Sequence, residues 1–219
     1  MSKIRWTIEP ARSALLAIDL QNAFLLPDSP LAAPGGLAIL PAFNRVIAAA
    51  RGAGMRVIFT ATTHDPAEPP NRMDDLFAGR RTRHSLERDS PGQRLHASVD
   101  RREGDLMVEK PRYSAFWRTD LDALLRARHV DTLLMGGVWS NVCVEATARD
   151  AFLREYKVIY LADCTAAGDL PDAGYGHISA DDVQRVTLAD MAWHIGEVAT
   201  AEDVIARLNA ARPVSRAHT

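Results

Sequence analysis

Residues 131–156 read DTLLMGGVWSNVCVEATARDAFLREY. Asp131 to Met135 is a short apolar run, stopped by Gly136 and Gly137. From Val142 to Tyr156, residues such as Val144, Ala148, Ala151 and Phe152 recur at helical spacing. This predicts a strand followed at once by a helix, with Ser140 or Asn141 as its cap. The run is unbroken rather than alternating, which is how a strand covered on both faces reads.

The same pattern repeats outward in both directions. Ala14–Ile18 ends at Asp19, Met55–Thr60 follows Gly52 and Gly54, and Leu106–Val108 leads into Glu109 and Lys110. Lys157–Leu161 leads to Asp163, and a weaker sixth run lies at Ile195–Val198. Helical segments are expected at Leu37–Arg51, Asp120–Arg128, Asp181–Trp193 and Glu202–Leu208. Strand and helix in alternation predict an α/β fold. The expectation is a three-layer αβα sandwich around a mostly parallel, six-stranded sheet, forming one domain over residues 1–219. Thr62 to Asp105 is the exception, since no strand is evident within it. It holds Pro66, Pro69, Pro70, Pro91 and the stretch Arg80-Arg81-Thr82-Arg83-His84. That stretch is either a solvated face or a lid or oligomer contact reaching the site.

Composition narrows the partners. The 219 residues carry 26 Lys+Arg against 28 Asp+Glu, a formal charge of −2. Without a basic surplus, no nucleic-acid partner is expected. No run of about 18 apolar residues predicts a membrane span. The opening MSKIRWTIEPARS has no apolar stretch of the secretory type, so a cytoplasmic location is expected. Two cysteines do not make a disulfide framework.

In open α/β sheets, ligands bind beyond the carboxyl ends of the strands. Asp19, Lys110 and Cys143 all follow strands, bringing an acid, an amine and a thiol to one edge. A carboxylate leaving a buried strand needs a partner. Cys143 falls in the first turn of a helix, where free N–H groups favour the thiolate. A thiol pKa near 8.5 must fall by about 2 units, or roughly 2.7 kcal/mol, to be largely ionised at neutral pH. The helix end supplies about 0.3–1 kcal/mol, so Lys110 is expected to supply the rest. Cys164, in Ala162-Asp163-Cys164-Thr165, has no such company and reads as structural. No glycine-rich phosphate loop follows the first strand, where Asp19-Leu20-Gln21-Asn22 stands instead.

The stretches ALLAIDLQNAF, VEKPRYSAFWRTDLDALLRARHVDTLLMGGVWSNVCVEATARDAF and VIYLADCTAA resemble the isochorismatase-like cysteine hydrolase superfamily. The likeness continues through ADMAWHIGEVATAEDVIARL and so runs from about Ala14 to Leu208. It implies a parallel sheet between helices, and an Asp-Lys-Cys triad at Asp19, Lys110 and Cys143. It also implies a cis peptide at Val138–Trp139 and an oxyanion hole from the backbone N–H groups of Trp139 and Cys143. Phe24, Tyr113, Trp117, Trp139 and Asn141 are expected to line a substrate pocket. Trp139 and Ser140 depart from the family's usual residues, and the bulk of Trp139 could narrow the pocket.

Within the superfamily, KPRYSAF with Trp117 and Thr119 is most similar to the ureidoacrylate and biuret amidohydrolases. TTHDPAEPP holds one histidine, His64, beside Asp65, unlike the metal-binding nicotinamidases, so no metal or other cofactor is expected. Cys143 argues against isochorismate hydrolysis, which needs no thiol. The resemblance therefore implies cleavage of a C–N bond in a small amide, carbamoyl or ureido compound through a thioester, by a homodimer or homotetramer. Arg72, Arg83, His84 and His64 are candidates to meet a substrate carboxylate. The alternatives are a small-molecule-binding paralogue with reduced turnover, or a hydrolase of the nicotinamidase or isochorismatase type.

Overall fold

Each apolar run becomes a strand because both of its faces are covered. In β1 (Ser13–Ile18) all six residues are buried. Leu15 and Ala17 face one core, while Ala14, Leu16 and Ile18 face the other, as the two-residue period of a strand requires. The computed structural model describes residues 4–65, 67–68, 72–76 and 82–211. Pro66, Pro69, Pro70, Arg80 and Arg81 lie outside the described residues, as does the side chain of Arg83.

After β1 comes a short helix, α1 (Asn22–Leu25), then α2 (Leu40–Gly52) and β2 (Arg56–Thr62). Next are the short α3 (Arg72–Leu76) and α4 (Thr82–Ser85), then β3 (Leu106–Lys110) and α5 (Leu121–Arg126). They are followed by β4 (Thr132–Val138), α6 (Glu145–Leu153), β5 (Lys157–Ala166), α7 (Ala180–Asp190), β6 (Glu197–Ala199) and α8 (Ala201–Ala210). The six strands form one sheet in the order β3-β2-β1-β4-β5-β6. Every pairing is parallel. The expected α/β sandwich with a six-stranded sheet is therefore what forms, with a wholly parallel sheet. Phe43, Ile47 and Ala50 of α2 and Val204 and Leu208 of α8 cover one face. Leu121 and Leu125 of α5, Ala148 and Ala151 of α6, and Met191 cover the other. No helix among the described residues is long and apolar enough to cross a membrane.

Three boundaries differ from the sequence reading. β5 runs through to Ala166, so Asp163 and Cys164 lie inside a strand rather than beyond its end. β6 covers Glu197–Ala199, because Ile195 still belongs to a π-helical turn, Met191–Ile195. The helix expected from Val142 opens with another π-helical turn, Ser140–Val144, before α6 proper. Neither Ser140 nor Asn141 caps it, since Trp139 is its N-cap residue and no side chain caps the turn. The Ser140 hydroxyl donates instead to Gln184 Oε1 of α7.

The strand order reverses direction between β1 and β4. In such sheets this switch point opens a crevice at the carboxyl ends of the strands. Gly137 allows β4 to close on β1 there. Its φ is +132°, and a Cβ on it would stand 1.9 Å from the Ile18 carbonyl oxygen.

Candidate active site

Asp19 leaves β1 in the left-handed region, with φ at +54°, a conformation that Asp tolerates better than most residues. Lys110 closes β3, two strands away, so β2 lies between them. Adjacent strands are about 4.8 Å apart, so only side chains leaning across β2 can meet. They do: Lys110 Nζ lies 2.7 Å from Asp19 Oδ2, and neither side chain is exposed.

Taking two charges out of water costs several kcal/mol for each ion unless other groups satisfy them. The intervening strand supplies those groups. Thr60 Oγ1 donates to Asp19 Oδ1 at 2.6 Å, and Thr62 Oγ1 donates to Oδ2 at 2.9 Å. Lys110 Nζ also donates to Thr62 Oγ1 at 2.7 Å and to the Arg112 carbonyl at 3.0 Å. The register that sets Thr62 beside Lys110 makes this possible. Sequence reasoning passed over both threonines. The available signal was their i, i+2 spacing at the end of a buried run, which turns both hydroxyls to one face of the sheet.

Cys143 completes the cluster from the other side of the switch point. Its thiol stands near enough to Asp19 and Lys110 for both to shift its proton affinity. Burial pushes it up to about 12, while the Lys110 ammonium pulls against this and the Asp19 carboxylate adds to it. This direction runs against the expected thiolate. Asp19 and Lys110 already form a neutral pair, so ionising the sulfur would leave a net negative charge in a dry site. Burial would pull Lys110 down, but Asp19 and Cys143 outweigh it, and the ammonium is held above its ordinary value.

A hydrogen-bonded clasp holds the loop after β3 to the helix that carries the sulfur. Thr147 Oγ1 donates to the Cys143 carbonyl at 2.7 Å and accepts from the Ala115 N–H at 3.0 Å. Ser114 donates to Asp150 of α6. Tyr113 is thereby held over the site, and its phenol is pushed up by burial and by Cys143.

The cluster opens into a cavity of about 240 Å³. That is below the roughly 300–1,000 Å³ of drug-sized sites and suits a small molecule. Cys143 and Thr62 line it together with Phe24, Tyr113 and Trp139. Trp139 therefore forms a wall. Its Nε1 donates to the Leu31 carbonyl at 3.1 Å, and its ring packs so closely on Gly168 that a Cβ there would lie 2.2 Å away. The Val138–Trp139 peptide is cis.

Two expected pocket residues are not brought there. Trp117 is 38% exposed and lies between the guanidinium groups of Arg112 and Arg118. A tryptophan face attracts cations, and that holds the ring at the surface. Asn141 is not among the lining residues either, and its amide oxygen is buried. Of the residues expected to meet a carboxylate, Arg72 pairs with Asp75 and His84 with Glu87, both well exposed. His64 does line the cavity. Its neighbour Asp65 turns away to accept from the Ala67 N–H. Leu31, Leu86, Asp169 and Leu170 also line the cavity. These were not legible in the sequence, because nothing local marks a loop residue as a wall.

The chain is similar to known proteins in sequence and in fold. Residues 13–203 match the Isochorismatase domain. A ureidoacrylate amidohydrolase of Rhizobium rhizogenes is 30% identical, over 94% of this chain and 87% of its own length. That of Methylobacterium radiotolerans is 38% identical, over 72% of this chain and 68% of its own. The crystal structure of a cysteine hydrolase from Pseudomonas syringae pv. phaseolicola superposes with a TM-score of 0.92 at 39% identity. It covers 96% of this chain and 100% of that one. An N-carbamoylsarcosine amidase from Thermoplasma acidophilum superposes with a TM-score of 0.69 at 26% identity, over 87% of this chain and 97% of that one.

Proposed function

The chain belongs to the isochorismatase family of hydrolases, and on that premise we propose that it is a cysteine-dependent amidohydrolase cleaving the C–N bond of a small amide, carbamoyl or ureido compound. The observation that carries this reading is a cavity-lining thiol within electrostatic reach of both members of a buried Asp–Lys pair.

The thiol is protonated at rest, so its proton must leave as the bond forms. Asp19 takes that proton while Cys143 Sγ attacks the carbonyl carbon. Lys110 balances the negative charge, which sits first on the carboxylate and then on the sulfur. The backbone N–H groups of Trp139 and Cys143 receive the oxyanion; one such donor contributes about 2.7–4 kcal/mol. As the tetrahedral adduct collapses, the C–N bond breaks and Asp19 returns the proton to the leaving nitrogen. Ammonia or an amine departs, leaving a thioester on Cys143. Water then attacks the thioester with Asp19 as base, the acid leaves, and the sulfur regains its proton. The unit carrying this chemistry is a single domain, working as a homodimer or homotetramer.

Ammonia release is to be screened across simple amides, carbamoyl compounds and ureides, with intact-protein mass spectrometry after acid quench. The expected result is turnover together with an acyl mass increment on Cys143. Turnover that survives in Cys143→Ala, or an adduct mapped to another residue, overturns the assignment.

A further inference from the structure

We propose, resting on the hydrolase reading above, that the cavity selects substrates whose non-reacting part is apolar and uncharged, and discriminates against those bearing a carboxylate. Three observations converge on this. Most of the walls around the thiol are carbon: Phe24, Leu31, Leu86, Trp139, Val142 and Leu170 all line the cavity. An anion pressed against such walls loses its water without gaining donors, which is unfavourable, whereas an alkyl or aryl group gains by leaving water.

The Lys110 ammonium beside the cavity is already engaged. A lysine ammonium has three N–H donors. Those of Lys110 are met by Asp19 Oδ2, Thr62 Oγ1 and the Arg112 carbonyl. Among the described lining residues there is no arginine or lysine. His64 lines the cavity with both of its ring nitrogens closed off from solvent.

The third observation is a charge of the wrong sign for an anion. Asp169 lines the same cavity, with its side chain 57% exposed. It is held in place because Oδ1 accepts from the Ala180 N–H at 2.7 Å, and His177 Nε2 stands 3.5 Å from Oδ2. Two carboxylates in one small cavity repel each other.

A matched pair of primary amides tests the proposal. In 4-methylpentanamide an isopropyl group stands where succinamate carries its carboxylate. Titration calorimetry on full-length Cys143→Ala, with Cys143→Ser as a second background, is expected to show binding of 4-methylpentanamide at least tenfold tighter than succinamate. The wild-type kcat/KM values for ammonia release should differ at least as much. Asp169→Asn should narrow the gap several-fold by improving succinamate. Equal or tighter binding of succinamate overturns the proposal, as does failure of either Cys143 variant to bind the neutral amide. The two readings fail separately. Cys143-dependent turnover that favours succinamate ends the apolar assignment and leaves the hydrolase. Preferential binding of the neutral amide with no turnover by the wild type ends the hydrolase and leaves the assignment.

Discussion

Two buried thiols, one in the helical turn after β4 and one within β5, share an electrostatic fate. Burial pushes Cys143 up to about 12 and does the same to Cys164. They differ in company. Cys143 stands beside an acid and an ammonium that both shift it, and it lines a cavity. Cys164 is fully buried within β5, packed in the core with Phe43 and Ile159. Its nearest acceptor is Asp163 Oδ1 at 4.0 Å. A low thiol pKa therefore cannot be what separates a working sulfur from a structural one here. The separation lies in access to a ligand and in a base that can take the proton when the ligand arrives.

The strongest way to break the contrast is kinetic. Cys143→Ser is expected to lower kcat by roughly 10⁴–10⁶, as loss of a nucleophile does. Cys164→Ala should leave kcat within about threefold and cost about 1–2 kcal/mol of stability as a small core cavity. Ammonia release and urea denaturation on both variants measure this, and comparable losses of rate in the two would erase the distinction.

The charged neighbours give the next test. Asp19→Asn should lower kcat about 10²–10⁴-fold, the worth of a general acid–base group. It should also destabilise the fold by about 3–5 kcal/mol, because Lys110 stays buried without its counter-charge. Adding Lys110→Met to Asp19→Asn should restore much of the stability but none of the rate. Recovery of both would mean that the pair is only structural.

The smallest effect is in pH. Burial holds both thiols above the value of about 8.5 found in unfolded chains, so the native state binds these protons more tightly. The associated stability is complete below pH 8 and is lost as pH rises toward 12. Each thiol should contribute a slope approaching 1.4 kcal/mol per pH unit in that window. Cys143→Ala and Cys164→Ala should each flatten the alkaline loss in urea melts. Iodoacetamide should still label Cys143 first, because it alone of the two lines the cavity, with a rate that keeps rising above pH 9. A labelling rate that levels off near pH 7 would show a thiolate after all.

Much of the site was legible before any coordinates. Asp19, Lys110 and Cys143 each follow an apolar run, and runs of that kind encode their strands locally. The resemblance through ALLAIDLQNAF, VEKPRYSAF and NVCVEATARDA singled out the same three residues. Thr60 and Thr62 were missed because their role exists only once β2 lies between β1 and β3. Trp117 was misplaced because the order of residues does not show that the Arg112 and Arg118 guanidinium groups settle over its ring at the surface. The thiol's protonation was misjudged because a helix-end effect of about 1 kcal/mol is readable from position, whereas burial is not.

The chain's own order of residues determined which segments become strands and helices, and which acid, amine and thiol stand at their ends, since those are short-range properties of apolar spacing and chain punctuation. The tertiary structure alone decided that the three meet across an intervening strand, that burial drives the thiol upward, and that mostly apolar walls together with Asp169 line the cavity beside it. Those outcomes depend on distance and on the exclusion of water, which arise only when segments far apart in the chain close on one another.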